Sequence, residues 1–87
     1  MFYVYVLKCS DGSFYTGYTN DLKKRFQMHM EGKASKYTRS RLPVEIVGQW
    51  IFGSKSDAMR YEIAFKSLLR EEKIAKISER HLAKSHL

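Results

Sequence analysis

The sequence predicts an α/β (α+β) domain, a three-stranded antiparallel sheet flanked by helices in the order β-β-α-β-α-α. Three observations carry that prediction: two neighbouring runs of period-two, β-forming residues at the start, a third such run after Pro43, and helical spacing of apolar residues between and after them.

Residues 2–8 set Phe2, Val4 and Val6 on one face and Tyr3, Tyr5 and Leu7 on the other. The turn cluster Ser10-Asp11-Gly12-Ser13 joins this run to Phe14-Tyr15-Thr16-Gly17-Tyr18, which predicts an antiparallel hairpin. Gly17 inside the second strand weakens the ladder, so it is expected to mark a bulge or a close backbone approach. Thr19 or Asn20 is the expected cap of a helix over 21–31, closed by Gly32. Residues 33–42 lack periodicity and carry Lys33, Lys36, Arg39 and Arg41 with no acid, which reads as a basic loop. Val44 to Phe52 reads as the third strand, with proline at its edge. Ser54 with Asp57, or Ser56 alone, caps a helix over 56–69, and a shorter helix over 71–78 follows. The domain is therefore expected over 1–78, with a polar, fraying tail over 79–87.

Eighty-seven residues, 44% of them hydrophobic, fill one core. Apolar runs are too short for a membrane span, and the N-terminus has no signal-peptide pattern, so a cytoplasmic protein without membrane association is expected. A single cysteine, Cys9, excludes an internal disulfide, and the three histidines form no zinc spacing. A net charge of +7 points to a polyanionic partner, nucleic acid first.

Several residues break the pattern. Ala58, Tyr61, Phe65, Leu68 and Leu69 define a buried helical stripe, and Glu62 falls inside it. A carboxylate there needs a cation partner, either an arginine or lysine, or a bound metal. In the first helix Leu22, Phe26 and Met30 form the stripe, with Arg25 and His29 one turn apart along its border. Arg25 offers a fixed charge suited to phosphate oxygens and His29 a group that exchanges protons near neutral pH, unless they are merely a solvated cation and a surface histidine. Tyr5 and Tyr15 can stand on one face of the sheet near that border.

Taken together, Tyr3-Val4-Tyr5, Tyr15-Thr16-Gly17, the helical segment ending at Arg25, His29 and the later Glu62 resemble the GIY-YIG nuclease superfamily, in particular its small stand-alone bacterial YhbQ-like branch. The resemblance covers residues 2–78. It implies metal-dependent hydrolysis of a DNA phosphodiester, linked to DNA repair or recombination, with one Mg²⁺ or Mn²⁺ held by Glu62. Arg25 is similar to the catalytic helix arginine, His29 to a histidine some members use, Tyr5 and Tyr15 to the two motif tyrosines, and Gly17 to the glycine where backbone crowds the site. A free phenol near pKa 10 is protonated at pH 7, so a neighbouring cation is expected to bring the reacting tyrosine down. Tyr3 replaces a motif glycine, Tyr18 stands where the excision-repair nuclease has lysine, and no matching asparagine follows Glu62.

The expected activity is an endonuclease on branched, nicked or single-stranded DNA, monomeric or weakly dimeric. Lys33, Lys36, Arg39 and Arg41 would grip the backbone and Tyr37 would stack on an unpaired base. With no attached reading domain, DNA shape or a protein partner would supply specificity. The competing expectation is a non-catalytic nucleic-acid-binding module on the same scaffold.

Overall fold

In β1, Phe2–Lys8, alternation places Tyr5 and Leu7 on one face and Val4 and Val6 on the other, and all four are buried. A strand apolar on both faces belongs in the middle of a sheet with cover on each side. The computed structural model, which describes the backbone of residues 1–85 and the side chains of residues 1–79, has this arrangement: the antiparallel order is β2-β1-β3. The turn before β2, Phe14–Thr19, is made by Gly12 at φ 85°, in the left-handed region that favours glycine. β3, Glu45–Phe52, pairs along the other side of β1.

On the Tyr5 face, Leu7, Cys9 and Val44 form a buried cluster, closed over by Leu22, Phe26, Leu42 and Tyr15. Leu22 and Phe26 come from α1, Leu22–Met30. On the opposite face, α3, Lys55–Lys66, sets Tyr61 and Phe65 against Trp50, with Tyr61 also meeting Phe52, at ring separations of 5.1–5.4 Å. Burying Phe65 is worth roughly 1.5–3 kcal/mol by area, and the tilted ring contacts add to it. No helix among the described residues is long and apolar enough to cross a membrane.

The element order expected from the sequence is present, with differences at several points. Asp21 caps α1, its Oδ1 accepting from the Lys24 amide at 3.0 Å, while Thr19 Oγ1 accepts from the Asp21 amide. The basic segment is not all loop, because Ser35 Oγ accepts from the Tyr37 and Thr38 amides and starts a short helix α2, Lys36–Arg39. Ser54 caps α3 as expected, but α3 ends at Lys66, and Leu69, expected in the buried stripe, is 64% exposed. The break is local: the Leu69 amide donates to the Glu72 carboxylate three residues on, half of a capping box that starts α4. α4 spans Arg70–Ser85, past its expected end at 78, and so covers most of the segment expected to be a polar tail. Residues 86–87 lie outside the described residues.

Candidate active site

Tyr5 and Gly17 stand opposite each other in the β1–β2 ladder. A Cβ on Gly17 would lie 2.6 Å from the Tyr5 hydroxyl oxygen and 2.8 Å from the ring carbon that bears it, closer than a Cβ can approach. Of the two alternatives expected at Gly17, a bulge or a close approach, the close approach is present, made by the phenol of the facing strand. The β1–β2 register is unbroken from Tyr3↔Thr19 to Lys8↔Phe14, and the irregularity falls between Val6 and Leu7 on the β3 side.

The Tyr5 hydroxyl is 2.9 Å from His29 Nε2, and His29 Nδ1 is 2.8 Å from Thr38 Oγ1. His29, expected on the border of α1, is fully buried, whereas Met30, expected in the apolar stripe, is 39% exposed. α1 is therefore rotated to turn its histidine toward the sheet. A buried imidazole is tolerated because both ring nitrogens are paired. The Tyr15 ring packs edge-on against the same imidazole, 5.2 Å between centroids, so both motif tyrosines flank His29.

Burial pushes the Tyr5 phenol up to about 12. The nearby Arg25 guanidinium pulls it down, while the neighbouring Tyr15 phenol and, last, the Glu62 carboxylate push it up. At Tyr5, one of the two candidates for the reacting tyrosine, the expected lowering by a cation is not met, since desolvation outweighs the guanidinium. His29 is held below the ordinary histidine value, first by burial and then by the Arg25 charge, so it is a neutral imidazole near pH 7. The charges of Arg25 on α1 and Glu62 on α3 are thus both felt at the Tyr5 phenol. Arg25 is anchored by Nη1, which donates to the Tyr18 carbonyl at 3.5 Å.

Glu62 lies at the rim, its side chain 14% exposed, with Lys66 Nζ 3.4 Å away. Both alternatives left open for this carboxylate bear on it: it has a lysine partner, and that lysine, half in solvent, is displaceable. Among the described residues no three His, Cys, Asp or Glu side chains gather as a metal cluster. One carboxylate suits a hard ion such as Mg²⁺ or Mn²⁺ that keeps water and phosphate oxygens as its other ligands, and does not suit zinc.

The basic segment divides. Lys36 and Arg39 are exposed, and Lys33 is exposed beside Glu31 at 3.7 Å. Arg41 is committed within the chain: its Nε donates to Asp11 at 3.0 Å, its Nη1 to the Tyr37 carbonyl at 2.9 Å, and its guanidinium covers the Tyr37 ring at 3.8 Å. Tyr37 in turn stacks on Tyr15 at 6.1 Å. Arg41 and Tyr37, expected to hold DNA backbone and base, brace α2 against the hairpin. Beside Tyr15 opens a recess of about 220 Å³ lined also by Phe14, Thr16, Tyr37, Lys66 and Lys73. Lys66, Lys73 and Thr38 were not singled out in the sequence. Lys66 had a signal in its four-residue spacing from Glu62; the other two had none.

The GIY-YIG catalytic domain family matches residues 1–75. The chain belongs to that family. Within it the chain falls in the small YhbQ-like branch, with UPF0213 proteins as its relatives: one from Streptococcus agalactiae is 51% identical over 77 residues, 88% of each chain, and one from Bacillus pumilus is 50% identical over 82 residues, 94% of this chain and 84% of the other. The solution structure of a UPF0213 protein from Bacillus halodurans superposes with a TM-score of 0.62 at 48% identity, covering 92% of this chain and 86% of that one. A protein from E. faecalis, also solved in solution, gives 0.64 at 41% identity over 92% and 85%. These share the three-stranded antiparallel sheet with helices.

Proposed function

We propose that the protein is a divalent-metal-dependent endonuclease that hydrolyses DNA phosphodiester bonds, selecting branched, nicked or single-stranded DNA by shape or through a protein partner. The observation that supports this reading is the buried Tyr5 hydroxyl held 2.9 Å from His29 Nε2, with Gly17 leaving it room and the Arg25 and Glu62 charges felt at the same phenol. In this mechanism water attacks the phosphorus and its proton passes to the Tyr5 oxygen as the phenol's own proton moves to His29 Nε2. Concerted transfer removes the need for a free phenolate, which a pKa of about 12 disfavours. Tyr15, half-buried beside the recess, orients the water, and the Arg25 guanidinium stabilises the charge developing on the phosphate. Glu62 would hold the Mg²⁺ or Mn²⁺, which supplies charge neutralisation at the phosphate and a more acidic bound water. The exposed Lys36 and Arg39, with the lysines of the recess beside Tyr15, support a track for neighbouring phosphates.

Incubation with nicked, branched and single-stranded DNA plus Mg²⁺ or Mn²⁺ tests the proposal. Cleavage is expected to require the ion and to drop at least about a hundredfold in Glu62→Ala and in Arg25→Ala; cleavage that survives both substitutions would refute the site. The second reading, a nucleic-acid-binding module without efficient chemistry, is favoured by one observation, the Lys66 ammonium already paired with Glu62. It predicts salt-sensitive DNA binding with no ion-dependent cleavage.

A further inference from the structure

The buried chain of hydrogen bonds from Tyr5 runs through His29 to Thr38, a residue with no part in the proposed reaction. The Tyr5 hydroxyl has one proton to place, and among the described residues its hydrogen-bond partner is His29 Nε2 at 2.9 Å. The phenol must therefore donate to Nε2, which must carry no proton. A neutral imidazole then bears its hydrogen on Nδ1, whose partner is Thr38 Oγ1 at 2.8 Å. Thr38 accepts that hydrogen and sends its own to the Ser35 carbonyl, 3.4 Å away. Every donor along Tyr5, His29, Thr38 and Ser35 then has an acceptor, and reversing the direction would strand the phenol's hydrogen in a buried site.

We infer that Thr38 is a positioning residue: by accepting from Nδ1 it fixes His29 in the tautomer whose Nε2 lone pair faces Tyr5. The fold is arranged to hold it there. Thr38 is fully buried although it lies in the basic segment, α2 exists because Ser35 caps it, and Arg41 ties that helix to the hairpin through Asp11 and the Tyr37 carbonyl. Valine has nearly the shape of threonine and lacks the hydroxyl. With valine at 38 the Nδ1 hydrogen would be buried without an acceptor, and the imidazole would shift toward the other tautomer, with a hydrogen on Nε2 where the Tyr5 proton must land.

The inference rests on the proposed reaction for its consequence but not for its first test. Nitrogen-15 NMR of the intact protein labelled at histidine reads the tautomer directly. His29 is expected with Nδ1 protonated in the native chain, with a reduced Nδ1–H share in Thr38→Val, and restored in Thr38→Ser. In DNA cleavage, kcat is expected to fall by roughly a hundredfold in Thr38→Val with KM for DNA unchanged, and to recover in Thr38→Ser. A native His29 protonated on Nε2, or an unchanged tautomer in folded Thr38→Val, would overturn the inference. If Thr38→Val does not fold, the native tautomer and its retention in Thr38→Ser still decide. If the native chain cuts no DNA, the proposed reaction fails while the NMR result stands on its own.

Discussion

Tyr5, His29 and Thr38 sit together under the mouth of the site, all buried and joined by hydrogen bonds of 2.8–2.9 Å. The outer charged groups, the rim, are Glu62, its side chain 14% exposed, and the exposed Lys66, Lys36 and Arg39, with Lys66 paired to Glu62 at 3.4 Å. The buried group is fixed by folding, because each of its polar atoms would be costly if left unpaired. The rim is weakly bound to itself and free to exchange its partners for ions and phosphates. The fold thus fixes the buried hydrogen-bonded set and leaves the outer charges available.

The largest effect expected from breaking the buried half comes from Gly17→Ala. The new Cβ meets the Tyr5 hydroxyl at 2.6 Å, so either the phenol or β2 must move. Overpacking of this kind costs about 1–3 kcal/mol, and a displacement of the reacting hydroxyl by about 1 Å lowers turnover by about a hundredfold. Thermal unfolding and DNA cleavage on the same sample measure both. A variant with native stability and native turnover would show that Tyr5 needs no such space.

Next in size is the contrast between Arg41 and Lys36, two cations of one basic segment. Arg41→Ala removes the bracket to Asp11 and Tyr37 and is expected to lower Tm by several degrees with little change in the salt dependence of DNA binding. Lys36→Ala is expected to leave Tm nearly unchanged and to reduce the slope of log affinity against log salt by about 0.7–0.9, as loss of one phosphate contact should. The reverse pattern would move Arg41 to the DNA and Lys36 into the scaffold.

The sheet was legible because period-two alternation is a local signal, and Glu62 stood out as a carboxylate within an apolar helical stripe, whereas Tyr5, Tyr15 and Arg25 came together as a set only through the family resemblance. What it hid was set by contacts between distant segments. The burial of His29 depends on how far α1 rolls over the sheet, which one turn of border residues does not specify. Thr38 was invisible because a four-residue helix has no periodicity, and the pairing of Arg41 escaped because its partner Asp11 is in another turn. The upward shift of Tyr5 also escaped: sequence spacing brought a cation near the phenol but gave no measure of its desolvation.

The buried half should also respond to pH in a defined direction. His29 is depressed in the fold, first by burial and then by the Arg25 charge, so near the ordinary histidine value of about 6.5 the unfolded chain binds more protons than the native one. Stability must therefore rise with pH through this region and be lost as pH falls from about 6.5 toward the depressed native value. Unfolding midpoints across about pH 7 to 5 should decline in the native protein and flatten in His29→Gln. A decline of the same steepness in both would assign the proton uptake to another group.

The smallest effect belongs to the rim. Lys66 and Glu62 form a four-residue helical pair with the lysine half in solvent, an arrangement worth about 0.3–0.5 kcal/mol at most. Lys66→Ala should therefore barely alter unfolding. It should nevertheless tighten Mn²⁺ binding by a few-fold, since the ammonium competes for the same carboxylate and its charge repels the ion. Isothermal titration with Mn²⁺ on Lys66→Ala and Glu62→Gln separates the possibilities: the first variant should bind more tightly than the native chain and the second hardly at all. If removing Lys66 weakens binding instead, the ammonium is part of the rim's architecture rather than a placeholder, and the division between a fixed interior and an exchangeable mouth would have to be redrawn.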